Sequence, residues 1–149
     1  MRPIPTIVLA SDHAGFPLKE KIKSYLKEQG IPSTDVGTLA DSPVDYPAIM
    51  RAGCKEVLKS SGVGLFFGGS GQGEAMASNK VKGIRAAVCW SEESARLARS
   101  HNDANVLCLG ARLLDHDLAL HIVDIFLSTE FENGRHSARV NDLDTPLSA

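Results

Sequence analysis

Two short segments of this sequence carry residue types suited to chemistry on an anionic, hydroxylated ligand. One is Ser11-Asp12-His13-Ala14-Gly15. The other is Gly68-Gly69-Ser70-Gly71-Gln72-Gly73, followed at once by Glu74. A Gly-rich turn lets backbone N–H groups approach an anionic oxygen closely, and a helix start adds its dipole. The run is not a P-loop, because no Gly-Lys-Ser/Thr follows it. A bare turn without a ligand is the plain alternative. Four glycines between Gly68 and Gly73, opposite Asp12 and His13, favour an oxyanion or phosphate site. Glu74 is the sharpest single residue. Its plain reading is a first-turn carboxylate that complements the helix dipole. Beside backbone donors able to hold a negative oxygen, a carboxylate can instead take a proton from a carbon next to a carbonyl. Burial would have to keep it basic enough for that task.

The elements that must position these residues alternate along the chain. Thr6–Ala10 is a short apolar, β-branched run and reads as a buried strand. Leu18, Ile22, Tyr25 and Leu26 recur at helical spacing over 17–29, with Pro17 at the helix start and Gly30 at its end. Ser33–Val36 is a weaker strand, and Leu39–Asp45 a loop. Pro47 opens a second helix running to Lys59. Strands follow at 63–67, 84–90 and 105–109, and helices at 74–80, 92–100 and 115–127. The segment 130–149 is a polar tail. Short apolar strands alternating with helices predict an α/β fold. We expect one domain over 1–149, a doubly wound, five-stranded parallel sheet in a Rossmann-like three-layer sandwich. Because the glycine run follows the third strand, it also makes a poor dinucleotide fingerprint. In such sheets ligands bind beyond the carboxyl ends of the strands. The Asp12 and Gly-rich turns both lie there, and so does Arg112, for which a ligand contact and a solvated loop position are equally open.

His101-Asn102-Asp103 falls between the fourth helix and the fifth strand, at the opposite end of the sheet. Arg135, His136 and Arg139 follow the last helix and fall at that end too. This sidedness suggests that they complete the crevice of a neighbouring subunit. Leu118, Ala119, Leu120, Ile122, Val123, Ile125, Phe126 and Leu127 cover most of the last helix, which suggests burial by a partner; burial within its own domain is the alternative.

Composition narrows the classes. The chain has 149 residues, 43% hydrophobic and only 5% aromatic, enough for one mostly aliphatic core. Lys and Arg total 16 against 18 Asp and Glu, which argues against a nucleic-acid binder. No apolar run reaches the roughly 18 residues of a membrane span, and the N-terminus lacks the pattern of a signal peptide. Cys54, Cys89 and Cys108 are widely spaced and form no disulfide framework, so we expect reduced thiols and a cytoplasmic protein. Cys89 and Cys108 read as core, and Cys54 as packed on the second helix. Trp90 either lines the crevice or packs. His116 and His121 are five apart and give no zinc pattern.

Several separate motifs together carry a resemblance. Ser11–Gly15, Asp45-Tyr46-Pro47, Gly69–Glu74, Ser78-Asn79-Lys80, Gly83–Ala86, His101–Asn105, Gly110-Ala111-Arg112 and Gly134-Arg135-His136 stand in one order over residues 5–141. The chain resembles the ribose-5-phosphate isomerases of the B type, within the sugar-phosphate isomerase group that includes the galactose-6-phosphate isomerase subunits. The resemblance implies metal-independent homodimers or dimers of dimers, with active sites shared between subunits and no cofactor. It implies that His101 helps open the furanose ring. Asp12 is implied as a ligand to sugar hydroxyls and a candidate partner in ring opening. Ser70 and the amides of Gly69, Gly71 and Gly73 would line the enediolate pocket. Arg135 and Arg139, with His13 nearby, would clamp phosphate, for which a planar guanidinium is suited. Tyr46, Asn102 and Arg112 would touch substrate or order the site. Many members carry a cysteine base just before the Gly-rich turn. This sequence has Gly68 there, and Glu74 one residue after the turn, as in a second branch of the family. The reaction implied is interconversion of D-ribose 5-phosphate and D-ribulose 5-phosphate through a cis-enediolate, with Glu74 as base. The same chemistry on allose or galactose 6-phosphate is one alternative. A non-catalytic sugar-phosphate-binding module is another, and a flavin carrier of similar topology a third.

Overall fold

The computed structural model describes residues 5–40 and 42–148. Residues 1–4, Asp41 within the expected 39–45 loop, and Ala149 lie outside the described residues. Five parallel strands form one sheet: β1 (Ile7–Ser11), β2 (Ser33–Asp35), β3 (Val63–Gly68), β4 (Ala86–Val88) and β5 (Val106–Gly110), in the order β2-β1-β3-β5-β4. The helices are α1 (Phe16–Glu28), α2 (Tyr46–Ser60), α3 (Gln72–Asn79), α4 (Glu92–Asn102), α5 (His116–Ser128) and α6 (Ser137–Asp142), with a 3₁₀ turn at Gly134–His136 before the last.

Strand periodicity divides the core in two. Ile7, Leu9, Leu65, Phe67, Leu107 and Leu109 point to one face, where they pack with Leu18, Ile22 and Leu26 of α1, Ala95 and Ala98 of α4, and Ala119, Ile122, Val123 and Phe126 of α5. Their neighbours Val8, Ala10, Phe66, Val106 and Cys108 point the other way, to Met50, Cys54 and Val57 of α2 and Ala75 of α3. Period-two alternation on central strands therefore builds both helical layers of the three-layer α/β sandwich. The three cysteines are free and buried, as expected.

The boundaries differ from the sequence expectation where side chains take over backbone hydrogen bonds. The fourth strand covers only Ala86–Val88, rather than 84–90. At one end the N–H of Ile84 turns back to Val81 O (3.1 Å) and that of Arg85 to Asn105 Oδ1 (2.7 Å). At the other, the Trp90 N–H donates to Ser94 Oγ at 3.0 Å, joining the cap of α4. Trp90 itself is exposed rather than packed. Asn79 exchanges two side-chain hydrogen bonds with Ala86, which occupies the free edge of β4. α4 continues past Ser100, so His101 and Asn102 are helical; Asp103, with φ 46°, ends it in the left-handed region. α3 starts two residues before Glu74, at Gln72, capped by left-handed Gly71. The segment after 130 is ordered into the 3₁₀ turn and α6.

The apolar surface of α5 also has a different destination from the one its sequence suggests. Ala119, Ile122, Val123 and Phe126 are buried in the chain's own core, and Leu118, Leu120, Ile125 and Leu127 pack partly against it. The helix therefore does not by itself call for a partner.

The ends of β1 and β3 approach closely at Gly15. A Cβ there would lie 2.2 Å from Phe67 O, a backbone atom of the central strand. Gly15→Ala should therefore lower unfolding stability by about 3 kcal/mol, the upper range for overpacking, as measured by urea denaturation. A loss within experimental error would show that the β1–α1 turn can move away at no cost.

Candidate active site

β3 ends at Gly68, and the chain turns through Gly69, Ser70 and Gly71 into α3. Gly71 has φ 81°, and a Cβ on it would meet the backbone of Leu109 and Gly110 at 3.1–3.4 Å. The turn is thus seated directly on the end of β5. Gly110 is equally tight, with Ser70 O 2.6 Å from where its Cβ would be. Arg112 N–H donates to Gly69 O at 3.1 Å, and its guanidinium lies over Gly69. Position alone left Arg112 open; the structure places it on the Gly-rich turn. Ser70 Oγ accepts from the Gln72 N–H at 3.3 Å.

Glu74 folds back from the first turn of α3 into this floor. Its carboxyl group occupies the space a side chain at position 68 would need: an ideal Cβ on Gly68 would lie 2.0–2.3 Å from its carboxyl atoms. The residue is 3% exposed. Burial raises its pKa from 4.5 to about 7; the hydrogen bond and charge of Asp12 add to the rise, and a bond to its own backbone N–H opposes it. A carboxylate held near neutrality can both accept and return a proton at physiological pH. The thiols offer no such group: burial pushes Cys89 up to about 11, and raises Cys54 and Cys108 too.

Asp12 sits beside Glu74 and is buried. Its Oδ1 accepts from the Gly15 N–H at 2.8 Å, and its own N–H donates to Phe67 O at 3.2 Å. His13 Nδ1 accepts from the Val44 N–H at 3.4 Å, which ties the loop before α2 to the rim. Tyr46, at the start of α2, leans over Gly73, its ring within 2.5 Å of the position of an added Cβ. Asp12, His13, Tyr46, Gly69, Ser70, Gly71, Gly73, Glu74 and Arg112 thus gather at the carboxyl end of the sheet.

The remaining candidates are elsewhere. α4 returns from the carboxyl end, so His101 and Asn102 in its last turn reach the amino end. Arg135 and Arg139 follow α5, which ends on the same side. There the His101 and His136 rings stack, with centroids 4.3 Å apart and 16° between planes. Glu132 Oε2 lies 3.8 Å from His101 Nε2 and 3.6 Å from His136 Nε2. Burial, with the positive neighbours His101, Arg135 and Arg139, lowers the His136 pKa, against Glu132. Glu132 carries no motif of its own; its place, four residues before His136 and just after the last helix, was the one available signal. Among the described residues, these three side chains are also the ones whose geometry could hold a metal ion.

A buried, near-neutral carboxyl group beside a glycine turn of backbone donors, on a doubly wound sheet, suits proton transfer at a carbon next to a carbonyl, the chemistry of the isomerase class to which comparison with known proteins assigns the chain. The chain belongs to the family described as Ribose/Galactose Isomerase, which it matches over residues 7–143. It is 41% identical over 140 residues to the ribose-5-phosphate isomerase B of Mycolicibacterium paratuberculosis, covering 92% of this chain and 88% of that one. Its structure resembles the crystal structure of a ribose 5-phosphate isomerase from Thermotoga maritima, with TM-score 0.93, 45% identity, and 95% and 99% of the two chains covered. It also resembles ribose-5-phosphate isomerase B of Mycoplasma genitalium, solved with bound ribulose-5-phosphate, with TM-score 0.89, 41% identity and 93% of each chain covered. Among the described residues no helix is long and apolar enough to cross a membrane.

The raised pKa of Glu74 has a thermodynamic consequence. The folded state binds this proton more tightly than the unfolded state, so stability falls as pH rises from 4.5 through about 7. Glu74→Gln removes that loss. The variant should match the parent below pH 4.5 and exceed it by up to roughly 3 kcal/mol above pH 7. Denaturation curves at pH 4.5 and 8 check this; an equal difference at both would place the carboxyl group in water.

Proposed function

We propose that this chain interconverts D-ribose 5-phosphate and D-ribulose 5-phosphate, with Glu74 moving the proton between C2 and C1. The observation that carries the assignment is the buried carboxyl group of Glu74, held near neutrality above Gly68 and beside the Gly-rich turn. As base, Glu74 takes the C2 proton of the open-chain aldose. The electron pair moves into the C1–C2 bond, and the carbonyl oxygen becomes the enediolate oxygen. Ser70 and the amides of Gly69–Gly73 stabilise that oxygen. The proton of the C2 hydroxyl then passes to O1, and Glu74 returns its proton to C1 as the C2 carbonyl forms. Asp12 holds sugar hydroxyls and keeps the Glu74 proton affinity high. Fixed donors provide the stabilisation, so the route draws on no metal or organic cofactor.

The two ends of the sheet fit this chemistry if the protein is a homodimer. Asp12, Ser70 and Glu74 of one subunit then face His101, Asn102, Arg135 and Arg139 of the other. His101 assists ring opening by moving a proton between the anomeric hydroxyl and the ring oxygen. Arg135 and Arg139, with His13, grip the phosphate, and Arg112 and Tyr46 order the turn. We place this activity in the cytoplasm, on the strength of its phosphorylated substrate and three free thiols.

Purified protein should convert ribose 5-phosphate to ribulose 5-phosphate in the presence of a chelator. Glu74→Gln should lose at least about 100-fold in turnover, the low end for general acid–base catalysis. In the parent, kcat/KM should fall below about pH 7 as Glu74 takes up its proton. Near-parental turnover in the variant would remove Glu74 as base. Failure of the folded parent on five-carbon but not six-carbon phosphates would shift the substrate.

A second experiment addresses the shared site. Glu74→Gln and His101→Asn, each nearly inactive on cyclic substrate, are co-expressed. Half of randomly paired dimers combine the two, and each of those carries one intact site, so activity should return to about a quarter of parental. No recovery in demonstrably mixed dimers would place both residues in a site within one chain.

A further inference from the structure

The cluster at the amino end of the sheet has a capacity that sugar isomerisation does not use. The His101 and His136 rings stack nearly parallel, and the Nε2 atoms of both lie near one oxygen, Glu132 Oε2, at 3.8 and 3.6 Å. All three ligand atoms lie within 4.8 Å of one another. Two imidazole nitrogens and one carboxylate oxygen are the donor set of an open zinc site, with the fourth position left for water or a ligand oxygen. We propose that His101, Glu132 and His136 bind a zinc-class divalent transition metal, and that the bound metal blocks isomerisation by occupying His101. The blocking half rests on the ring-opening role of His101 given above; the binding half does not.

Local structure brings the ligands together before any metal arrives. The Glu132 N–H donates to Ser100 O at 3.0 Å, which fixes the carboxylate to the turn of α4 that carries His101. Left-handed Asn133 (φ 61°) then reverses the chain, and the 3₁₀ turn presents His136 four residues later. The His136 side chain is 9% exposed, whereas those of His101 and Glu132 are 35% and 53% exposed. One ligand is thus rigid and buried, while the other two open to water and give an ion access.

The tautomer of His136 suits a ligand. The Arg135 Nε–H donates to His136 Nε2 at 3.5 Å, so the lone pair a metal needs lies on the nitrogen that faces Glu132. Arg135 is therefore the group a metal displaces, and its exposed, flexible side chain can leave. Around a tetrahedral zinc, ligand atoms stand about 3.3 Å apart. The separations from Glu132 exceed this by a few tenths of an ångström, and rotation of the half-exposed His101 ring out of the stack aims both imidazole lone pairs at one ion. Imidazole with a single carboxylate favours zinc, copper or nickel over magnesium and calcium, which take more oxygen ligands.

The test is a zinc titration of the full chain against a fluorescent chelator, with isomerase activity followed in parallel. One zinc per chain should bind the parent at low-micromolar concentration. Glu132→Gln, at an exposed position, and His136→Gln should each weaken binding by at least about tenfold, since even outer-shell changes cost that much. Zinc should slow parental turnover of cyclic ribose 5-phosphate, a chelator should restore it, and Glu132→Gln should need at least tenfold more zinc for the same fractional inhibition. No binding by the parent, or equal binding by parent and Glu132→Gln, would overturn the site. Full turnover by zinc-loaded parent would overturn the blocking role. A parent without isomerase activity at any zinc level would reject the enzymatic assignment instead, and the titration would still decide the site. If His136→Gln does not fold, Glu132→Gln carries the comparison alone.

Discussion

The carboxyl end of this sheet is organised around one volume, the space above Gly68. Gly68 is the last residue of the central strand β3 and pairs with Gly110 of β5. Its missing side chain leaves room for the carboxyl group of Glu74, whose Cδ would be 2.1 Å from a Cβ on residue 68. Any side chain at 68 and the present position of Glu74 are mutually exclusive. This gives a steric reason for the two branches of the family resemblance. A cysteine at position 68 and the glutamate at position 74 would compete for the same place beside Asp12, so under the proposed mechanism the base comes from one side of the turn or the other. Taking a carboxylate out of water costs stability, and at Glu74 the fold accepts that cost. Burial is what lifts the proton affinity of Glu74 into a useful range.

That volume keeps its shape because the strand ends around it are tied on both sides. On the β3 side, the Asp12 N–H bonds to Phe67 O and Gly15 rests on the same carbonyl. On the β2 side, the Ser11 N–H donates to Gly37 O and the Thr38 N–H to Ser11 O, both at 2.7 Å. The segment Gly37–Thr38 is held in turn by Lys19, a fully buried lysine whose ammonium donates to both Asp35 oxygens at 2.8 Å and to Thr38 O. Burial works against ionised Asp35, yet hydrogen bonds from Lys19, Lys23 and the Gly37 N–H hold its pKa below the usual value. A buried charge pair of this kind adds little net stability but is costly to break. Its role here is positional: it fixes the β2–α2 loop against β1, one residue from Asp12.

Strand and helix order could be read from the sequence because the central strands are continuous apolar runs and the helices carry apolar stripes. Position relative to strand ends then sorted the polar residues into two groups, and the structure keeps the groups apart as expected. Boundaries were harder to read where side chains replace backbone partners. Asn105 and Ser94 take the N–H groups that shorten β4, and Asp103 carries α4 through His101 by adopting a conformation that sequence rarely signals. The apolar circumference of α5 could not separate burial in its own core from burial by a partner, because both require the same residues. Glu132 was invisible for a similar reason. A lone acidic residue in a polar tail looks solvated until the fold sets it beside two stacked histidines. The contact of Glu74 with Gly68 links residues only six apart, but it depends on how α3 leaves the turn, which glycine content alone does not specify.

The separation of the two polar groups also bears on why a single small sheet would need two copies to act. In a parallel α/β sheet each strand delivers its loop to the carboxyl end, and each helix returns the chain to the amino end. Residues 101 and 102 close the return leg of α4, and Arg135 and Arg139 follow the return leg of α5. None can reach Glu74 without crossing the full length of the sheet. In the proposed reaction, deprotonation and enediolate stabilisation fall to the groups at the carboxyl end. In the same proposal, ring opening and phosphate binding fall to a second set of cationic and imidazole groups, those at the amino end. In the proposed homodimer, a second subunit packed with opposite polarity would bring those ends together twice, by symmetry, and make two equivalent sites from one sequence. The stacked His101 and His136 and the nearby Glu132 carboxylate are held by contacts within the chain, among them the bond from the Glu132 N–H to Ser100 O, and the exposed side of the cluster faces whatever approaches from outside.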